Sequence, residues 1–157
     1  MDQLSYNIST GILEGLICGR RLHLFCGAGG RAGSTTSGAE SWYLSGNVFA
    51  TAIGGPRQEG THIFGPLPLG EYELRLRAGK RRWIDLKPLR GNMFGRSRFA
   101  IHERGPIGSH GCIVVYDKTG LERLHDLVEE AYSKGRAPCR LRVVAIGQDL
   151  DRMLRTA

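Results

Sequence analysis

Two histidines and a cysteine, His102, His110 and Cys112, lie in a short glycine-rich part of the chain. A cysteine attacks a carbonyl efficiently only as its thiolate, so it needs a neighbouring base or positive charge. Segment 103–111, ERGPIGSHG, is long enough to turn the chain back and set the His102 imidazole beside the Cys112 thiol. The residue types and spacing therefore predict acyl transfer by a cysteine nucleophile and a histidine base.

Gly111, directly before the cysteine, allows a tight turn. In such a turn the backbone N–H groups near Gly111 and Cys112 can point at a developing oxyanion and stabilise it. The apolar residues 113–116 follow, and we expect them to anchor the turn in the core. All parts needed for acyl transfer are thus present in one segment.

Two other interpretations of the same residues stay open on physical grounds. His102, His110 and Cys112 are also suitable zinc ligands, although no nearby Cys or His pair supplies a fourth ligand at a familiar spacing. Alternatively, the thiol is a buried core group and the histidines are structural or exposed. Spacing alone does not separate a nucleophile, a metal site and a structural role.

The elements that must position these residues are mostly short strands separated by turns. Residues 71–78 alternate apolar and charged side chains, which is the period of a half-buried strand, and the turn 78–80 then predicts a hairpin. His102 falls at the end of a later strand. The predicted strands are 6–9, 21–26, 42–46, 47–53, 71–78, 81–89, 98–103 and 139–147.

One helix is predicted after the cysteine. Asp117 or Thr119 can cap its start, and Lys134 and Gly135 end it. Its apolar residues fall on one helical stripe, with charged residues outside it. The stripe consists of Leu121, Leu124, Leu127, Val128, Ala131 and Tyr132.

These elements predict a mainly β (α+β) fold, a β-sandwich or barrel-like sheet with one main helix after the cysteine. The length of 157 residues fits a single domain, 1–157, with a polar tail at about 148–157. Segment 55–70 is the longest irregular one, and we expect it to form a loop at the mouth of a site.

The charge of +7 is concentrated between residues 75 and 98, which contain nine basic residues and a single acid, Asp85. This run is either the solvated face of a β-ribbon or a surface that attracts a polyanion.

The N-terminus does not have the pattern of a secretory signal, and we expect synthesis as a soluble cytosolic chain without membrane insertion. The four cysteines match no disulfide scaffold or paired CxxC site, and whether Cys18 and Cys26 pair stays open.

Segment 100–115, AIHERGPIGSHGCIVV, resembles the signature of the YkuD-type L,D-transpeptidases, in which a first histidine is followed at a distance by Ser-His-Gly-Cys. Its short histidine-to-cysteine gap is similar to that of the L,D-transpeptidase-like effectors delivered by type VI secretion. Segments 65–74 (GPLPLGEYEL), 6–11 (YNISTG) and 43–47 (YLSGN) also resemble parts of those effectors. The likeness spans most of the chain, but only the SHGC block is highly specific.

The resemblance implies an L,D-transpeptidase-type fold and assigns roles to individual residues. Cys112 is the expected nucleophile and His102 the general base. Ser109, His110 and Gly111 are expected to shape the pocket and orient the thiol. Val114 departs from the family, since many members have Arg or Asn there, so a substrate carboxylate must be bound by other residues. The candidates for that role are Arg96, Arg98 and Arg104.

The implied substrate is a peptidoglycan stem peptide of the cell wall, and the implied activity is that of an L,D-carboxypeptidase or L,D-transpeptidase with a thioester intermediate. The resemblance further implies an antibacterial toxin without cofactor or metal that acts in the periplasm of target cells. The expected partners are a secretion apparatus and a cognate immunity protein, and a monomer is the default expectation.

Two rival classes remain. A basic β-barrel that binds nucleic acid would explain the 75–98 run, but only Tyr72, Trp83, Phe94 and Phe99 are near enough to stack on bases, and no RNA-binding motif is recognisable. A non-catalytic domain that binds cell wall or a partner protein would keep the fold alone. Such a domain has no need for a thiol and a base in register.

Overall fold

The computed structural model describes residues 2–28, 65–103, 112–136 and 138–146. Within these ranges it contains eight strands and one helix. The strands are β1 (Gln3–Asn7), β2 (Ile12–Ile17), β3 (Arg20–Ala28), β4 (Gly70–Leu76), β5 (Trp83–Arg90), β6 (Phe99–Glu103), β7 (Ile113–Val115) and β8 (Arg140–Val144), and the helix is α1 (Lys118–Ser133).

The strands form a closed barrel in the order β1-β2-β3-β7-β6-β5-β4-β8. Two neighbouring pairs, β1 with β8 and β6 with β7, are parallel, and the other pairs are antiparallel. The prediction of a mainly β fold with one helix after the cysteine is therefore confirmed.

Alternation along the strands fills the barrel. In β4, Tyr72 and Leu74 are fully buried, while Glu73 and Arg75 between and after them face outward. The predicted helical stripe joins the same apolar core as the inward-facing strand residues. Burying one such Leu, Ile or Tyr stabilises the fold by about 1.5–3 kcal/mol, so the pattern explains why these segments pair in this register.

The helix begins and ends where the sequence predicts. Asp117 is the N-cap, and its carboxylate accepts a hydrogen bond from Thr119 N at 3.0 Å. Gly135, with φ of +68°, follows the last turn. Near the start of the helix, a Cβ on Gly120 would come within 2.5 Å of the Leu24 side chain, so a larger residue there would require the Leu24 side chain to move.

Some predicted segments differ from the structure or lie outside the described residues. The strand predicted at 6–9 is observed at Gln3–Asn7, because Leu4 and Tyr6 are the residues that alternate into the core. The strands β2 and β7 were not predicted. The predicted strands 42–46 and 47–53, the tail 148–157 and residues 55–64 of the expected loop lie outside the described residues.

Cys18 and Cys26 cannot form a disulfide in this fold. In the β2–β3 hairpin Ile17 pairs with Arg20 and Ile12 with Phe25, so the two cysteines lie at opposite ends of the hairpin. At about 3.3 Å per residue they are roughly 20 Å apart, whereas bridged Cα atoms lie within about 7 Å. No disulfide bond joins the cysteines in the described part of the chain.

Candidate active site

The pairing of β6 with β7 brings His102 and Cys112 to the same face of the barrel. Ile101 lies opposite Ile113 and His102 opposite Val114, and Cys112 precedes Val114 by two positions. Because side chains alternate along a strand, Cys112 shares the face of Val114 and His102. With strands about 4.8 Å apart and a rise of about 3.3 Å per residue, the Cα atoms of His102 and Cys112 are roughly 8 Å apart.

The register also explains how the parallel strands β6 and β7 can be joined although His102 and Cys112 are only ten positions apart in the sequence. Parallel strands usually need a crossover of a dozen or more residues. Here β7 starts level with Ile101 and β6 ends at Glu103, so the connection has to return by only two positions, or about 7 Å. The connecting residues 104–111 lie outside the described ranges, and with them Arg104, Ser109, His110 and Gly111. Their expected roles stay predictions.

The His102 imidazole is held by two contacts. Its Nδ1 lies 2.7 Å from the backbone oxygen of Glu103, and its ring stacks on Trp83 with centroids 5.0 Å apart and planes 11° apart. A carbonyl oxygen only accepts, so Nδ1 must carry the hydrogen in this contact. The lone pair is then on Nε2, which is the tautomer that a general base needs.

The Cys112 thiol is buried, with 6% of the residue exposed. Its Sγ donates to the Arg98 carbonyl oxygen at 3.6 Å. Burial raises the pKa of this thiol to about 11, although the Ala100 backbone and the Arg96 charge act in the opposite direction. The resting cysteine is therefore a neutral thiol, and a base must remove its proton during a reaction.

Arg96 is a buried cation beside this thiol. Its Nη1 donates to the Pro66 carbonyl at 2.6 Å and its Nη2 to the Gly65 carbonyl at 3.0 Å. Burial lowers the pKa of the guanidinium to about 10, while the nearby Tyr72 and Cys112 act to raise it. The contacts of Arg96 tie segment 65–66, the described end of the expected loop, to the residues around the cysteine.

Arg96 and Arg98, the two described arginines among the proposed carboxylate ligands, differ in their surroundings. Arg96 is engaged with backbone carbonyls, whereas the Arg98 side chain is exposed. Arg98 also has a φ of +62°, which is uncommon for a residue with a side chain, and it supplies the carbonyl that accepts from the thiol. Binding of a substrate carboxylate by any of them stays a prediction.

Much of the basic run between residues 75 and 98 is neutralised by ion pairs. Arg75 lies 2.9 Å from Glu73, Arg77 lies 2.6 Å from Asp85, and Arg81 and Arg82 each lie 2.8 Å from a helix carboxylate. Such exposed pairs stabilise the fold little. They do reduce the net charge presented to a polyanion, which favours the interpretation as a solvated face.

Trp83 and Asp85 are site neighbours that the sequence analysis did not identify. Trp83 lies directly opposite His102 in the antiparallel β5–β6 pair. Asp85, two positions further on the same face, accepts hydrogen bonds from Trp83 Nε1 at 2.9 Å and Arg77 Nε at 2.6 Å. Burial raises the pKa of Asp85, but these two donors outweigh it and hold the pKa below its ordinary value. The alternation of RRWIDL next to the strand that carries His102 was the available signal.

Comparisons with protein-family models, curated proteins and solved structures give no match to this chain. Within the described ranges, no three His, Cys, Asp or Glu side chains converge in a way that could hold a metal ion. No helix in the described part of the chain has the length and apolar character required to cross a membrane.

Proposed function

We propose that this protein is a cysteine-dependent acyltransferase of peptidoglycan, with L,D-carboxypeptidase or L,D-transpeptidase activity and an L,D-transpeptidase-type variant of the observed barrel. The observation that carries the proposal is the shared face of His102 and Cys112 on adjacent strands. The contact of His102 Nδ1 with Glu103 O, which leaves Nε2 as the base, supports it further. The choice of substrate rests on the resemblance of segment 100–115.

The proposed first step moves one proton and exchanges one bond. His102 Nε2 takes the proton of the Cys112 thiol as sulfur attacks the carbonyl of the third stem residue. Backbone N–H groups near residues 111 and 112 stabilise the oxyanion. The C–N bond to the terminal D-alanine then breaks, the imidazolium protonates the departing amine, and a thioester remains on Cys112.

The acceptor of the thioester determines the product. Water releases a tripeptide, a free D-amino acid is exchanged into the fourth position, and a second stem gives a crosslink. Hydrolysis and exchange both deplete the tetrapeptide donors of a cell wall. We therefore propose the role of an antibacterial effector acting in the periplasm of target cells, with a cognate immunity protein in the producer.

The test is digestion of purified tetrapeptide muropeptides, with and without an added D-amino acid, read by mass spectrometry. We expect loss or exchange of the terminal D-alanine by the wild type, no product from Cys112→Ala, and a reduction by His102→Asn of about a hundredfold to ten-thousandfold. Cys139→Ala is the matched control, because Cys139 is also a buried thiol but lies next to β8. Product formation by folded Cys112→Ala, or none by the wild type, overturns the proposal.

A further inference from the structure

We infer that Trp83 is a positioning residue for the base His102, and that Asp85 holds Trp83 in place; this inference rests on the proposed function of that site. Trp83 and His102 are opposite partners in the β5–β6 pair, and their rings are nearly parallel. The Asp85 carboxylate accepts from the indole Nε1 at 2.9 Å, which fixes the rotation of the indole.

The imidazole needs this support because one hydrogen bond does not fix a ring plane. The contact between Nδ1 and Glu103 O holds one edge of the His102 ring, while the ring can still tilt about that contact. The face of Trp83 limits the tilt on one side. Val114, in register with His102 on the neighbouring strand and buried, lies on the other side. Together these contacts restrict the direction in which Nε2 points.

The indole also acts on the charge that His102 acquires when it takes the thiol proton. An imidazolium facing the indole ring is attracted by its π electrons. Arg77 and Lys80 lie 5.5 and 5.2 Å from the same ring centroid and oppose this attraction, and Asp85 offsets them from beside the indole.

The remaining described charges near His102 come from the other packed elements. Glu103 follows it on β6 and pairs with Arg82 at 3.4 Å and with Lys118 of α1 at 3.8 Å. Cys112 lies beside it before β7. Since these groups are unchanged by a substitution at Trp83, an effect of that substitution reports the indole itself.

The test compares Trp83→Ala, Trp83→Phe and Asp85→Asn, with Leu16→Ala as an exposed control on β2. We expect Trp83→Ala to lower kcat on tetrapeptide by about a hundredfold with little change in KM, since a small misplacement of a catalytic group has such an effect. Trp83→Phe keeps an aromatic face and should restore kcat to within about tenfold of the wild type, and Asp85→Asn should fall between them. Leu16→Ala should match the wild type.

Two readouts do not depend on peptidoglycan. In the wild type the stacked indole should shift the ring-proton NMR signals of His102. The shift should be much smaller in Trp83→Phe and absent in Trp83→Ala. Alkylation of Cys112 by iodoacetamide at neutral pH should be slower than in the wild type both in Trp83→Ala and in His102→Asn. If the wild type leaves muropeptides intact while both readouts change as expected, the proposed function fails and the positioning role stands.

Unchanged His102 signals in Trp83→Ala overturn the inference, as does a normal alkylation rate. A kcat for Trp83→Phe as low as that of Trp83→Ala also overturns it. If Trp83→Ala fails to fold, Trp83→Phe still decides the question, because His102 signals that stay as in the wild type in that variant overturn the inference.

Discussion

The buried guanidinium of Arg96 is electrostatically coupled to the Cys112 thiol, and hydrogen bonds to the Pro66 and Gly65 carbonyls keep it there. The coupling favours the thiolate, yet burial dominates and the pKa of Cys112 stays at about 11. At neutral pH only about one thiol in ten thousand is then ionised. The chemistry at this site therefore depends on a base that acts during the reaction and not on a preformed thiolate.

Replacing Arg96 should raise the pKa of the Cys112 thiol above about 11, because the substitution removes a favourable charge while burial remains. The pH at which iodoacetamide alkylates Cys112 at half its maximal rate should move upward in Arg96→Met. Arg96→Lys is the matched control, since it keeps the charge and should shift the midpoint less. An unchanged or lower midpoint in folded Arg96→Met contradicts the prediction.

Alkaline pH should destabilise the protein through its buried thiols. Burial raises the pKa of Cys112 and of Cys139 to about 11, from the ordinary value of 9.0 for a thiol. The unfolded chain therefore releases these protons first, so their contribution is complete below about pH 9 and is lost as the pH rises toward 11. At pH 10.5 the ionisation of each thiol should have lowered the free energy of unfolding by about 2 kcal/mol relative to its value below pH 9.

This contribution is measurable by urea unfolding at mildly and strongly alkaline pH. Cys139→Ala should lose less stability between the two conditions than the wild type, whatever constant cost the substitution adds. Equal losses in the two proteins would show that Cys139 does not titrate differently in the folded and unfolded states.

The Asp2 carboxylate should stabilise the start of β1 at neutral pH. It is 3% exposed and accepts from Arg136 Nε at 2.5 Å, Arg136 Nη2 at 2.8 Å and Cys18 N at 3.0 Å. Burial raises the pKa of Asp2, but these donors outweigh it and lower the pKa below the ordinary value of 3.8. The contribution is therefore present above about pH 4 and lost as the pH falls through the lowered value.

Asp2→Asn should reduce the free energy of unfolding at neutral pH by about 2 kcal/mol, the usual value for hydrogen bonds to a charged group. Urea unfolding of the wild type, Asp2→Asn and Arg136→Lys at neutral and acid pH measures this. The difference between the wild type and Asp2→Asn should shrink in acid, and a difference that is absent at neutral pH is the contrary result.

Replacing His125 should stabilise the protein. This helix residue is 5% exposed, and neither ring nitrogen has a hydrogen-bond partner among the described residues. A buried polar group without a partner costs about 1–3 kcal/mol. We expect His125→Leu to raise the free energy of unfolding by about 1 kcal/mol, and His125→Ala to gain less because it leaves a cavity. Lower stability of His125→Leu in urea unfolding would mean that the imidazole has a favourable role.

The sequence predicted those elements whose side chains repeat with a clear period. The apolar stripe of α1 and the alternation of β4 both predict the observed burial. The strand β2 escaped prediction because Gly15 interrupts its pattern and Leu16 is 45% exposed. His125 occupies the buried stripe one turn after Leu121, but its polar side chain gave no indication of this.

The site was predictable in its residue types but not in its geometry. The spacing of His102 and Cys112 indicated that they can meet, whereas their shared face follows from the register of β6 with β7. The contact of Trp83 with His102 depends on the register of β5 with β6 in the same way. Each register depends on the partner strand and the connection as well as on the pattern of one segment, so the pattern of that segment alone does not specify it.

Closure of the barrel by β8 has a consequence for the time at which the protein becomes complete. The strand β8 follows the other described strands along the chain, yet it pairs with both β1 and β4, and Arg136 just before it binds Asp2 across 134 positions. A nascent chain on the ribosome thus carries its cysteine inside an open sheet with two unpaired edges. Whenever the protein unfolds and refolds, β8 must pair with β1 and β4 again, and such long-range pairing is intrinsically slow. The pairing of β8 with β1 and β4 therefore determines when the enclosed barrel first exists.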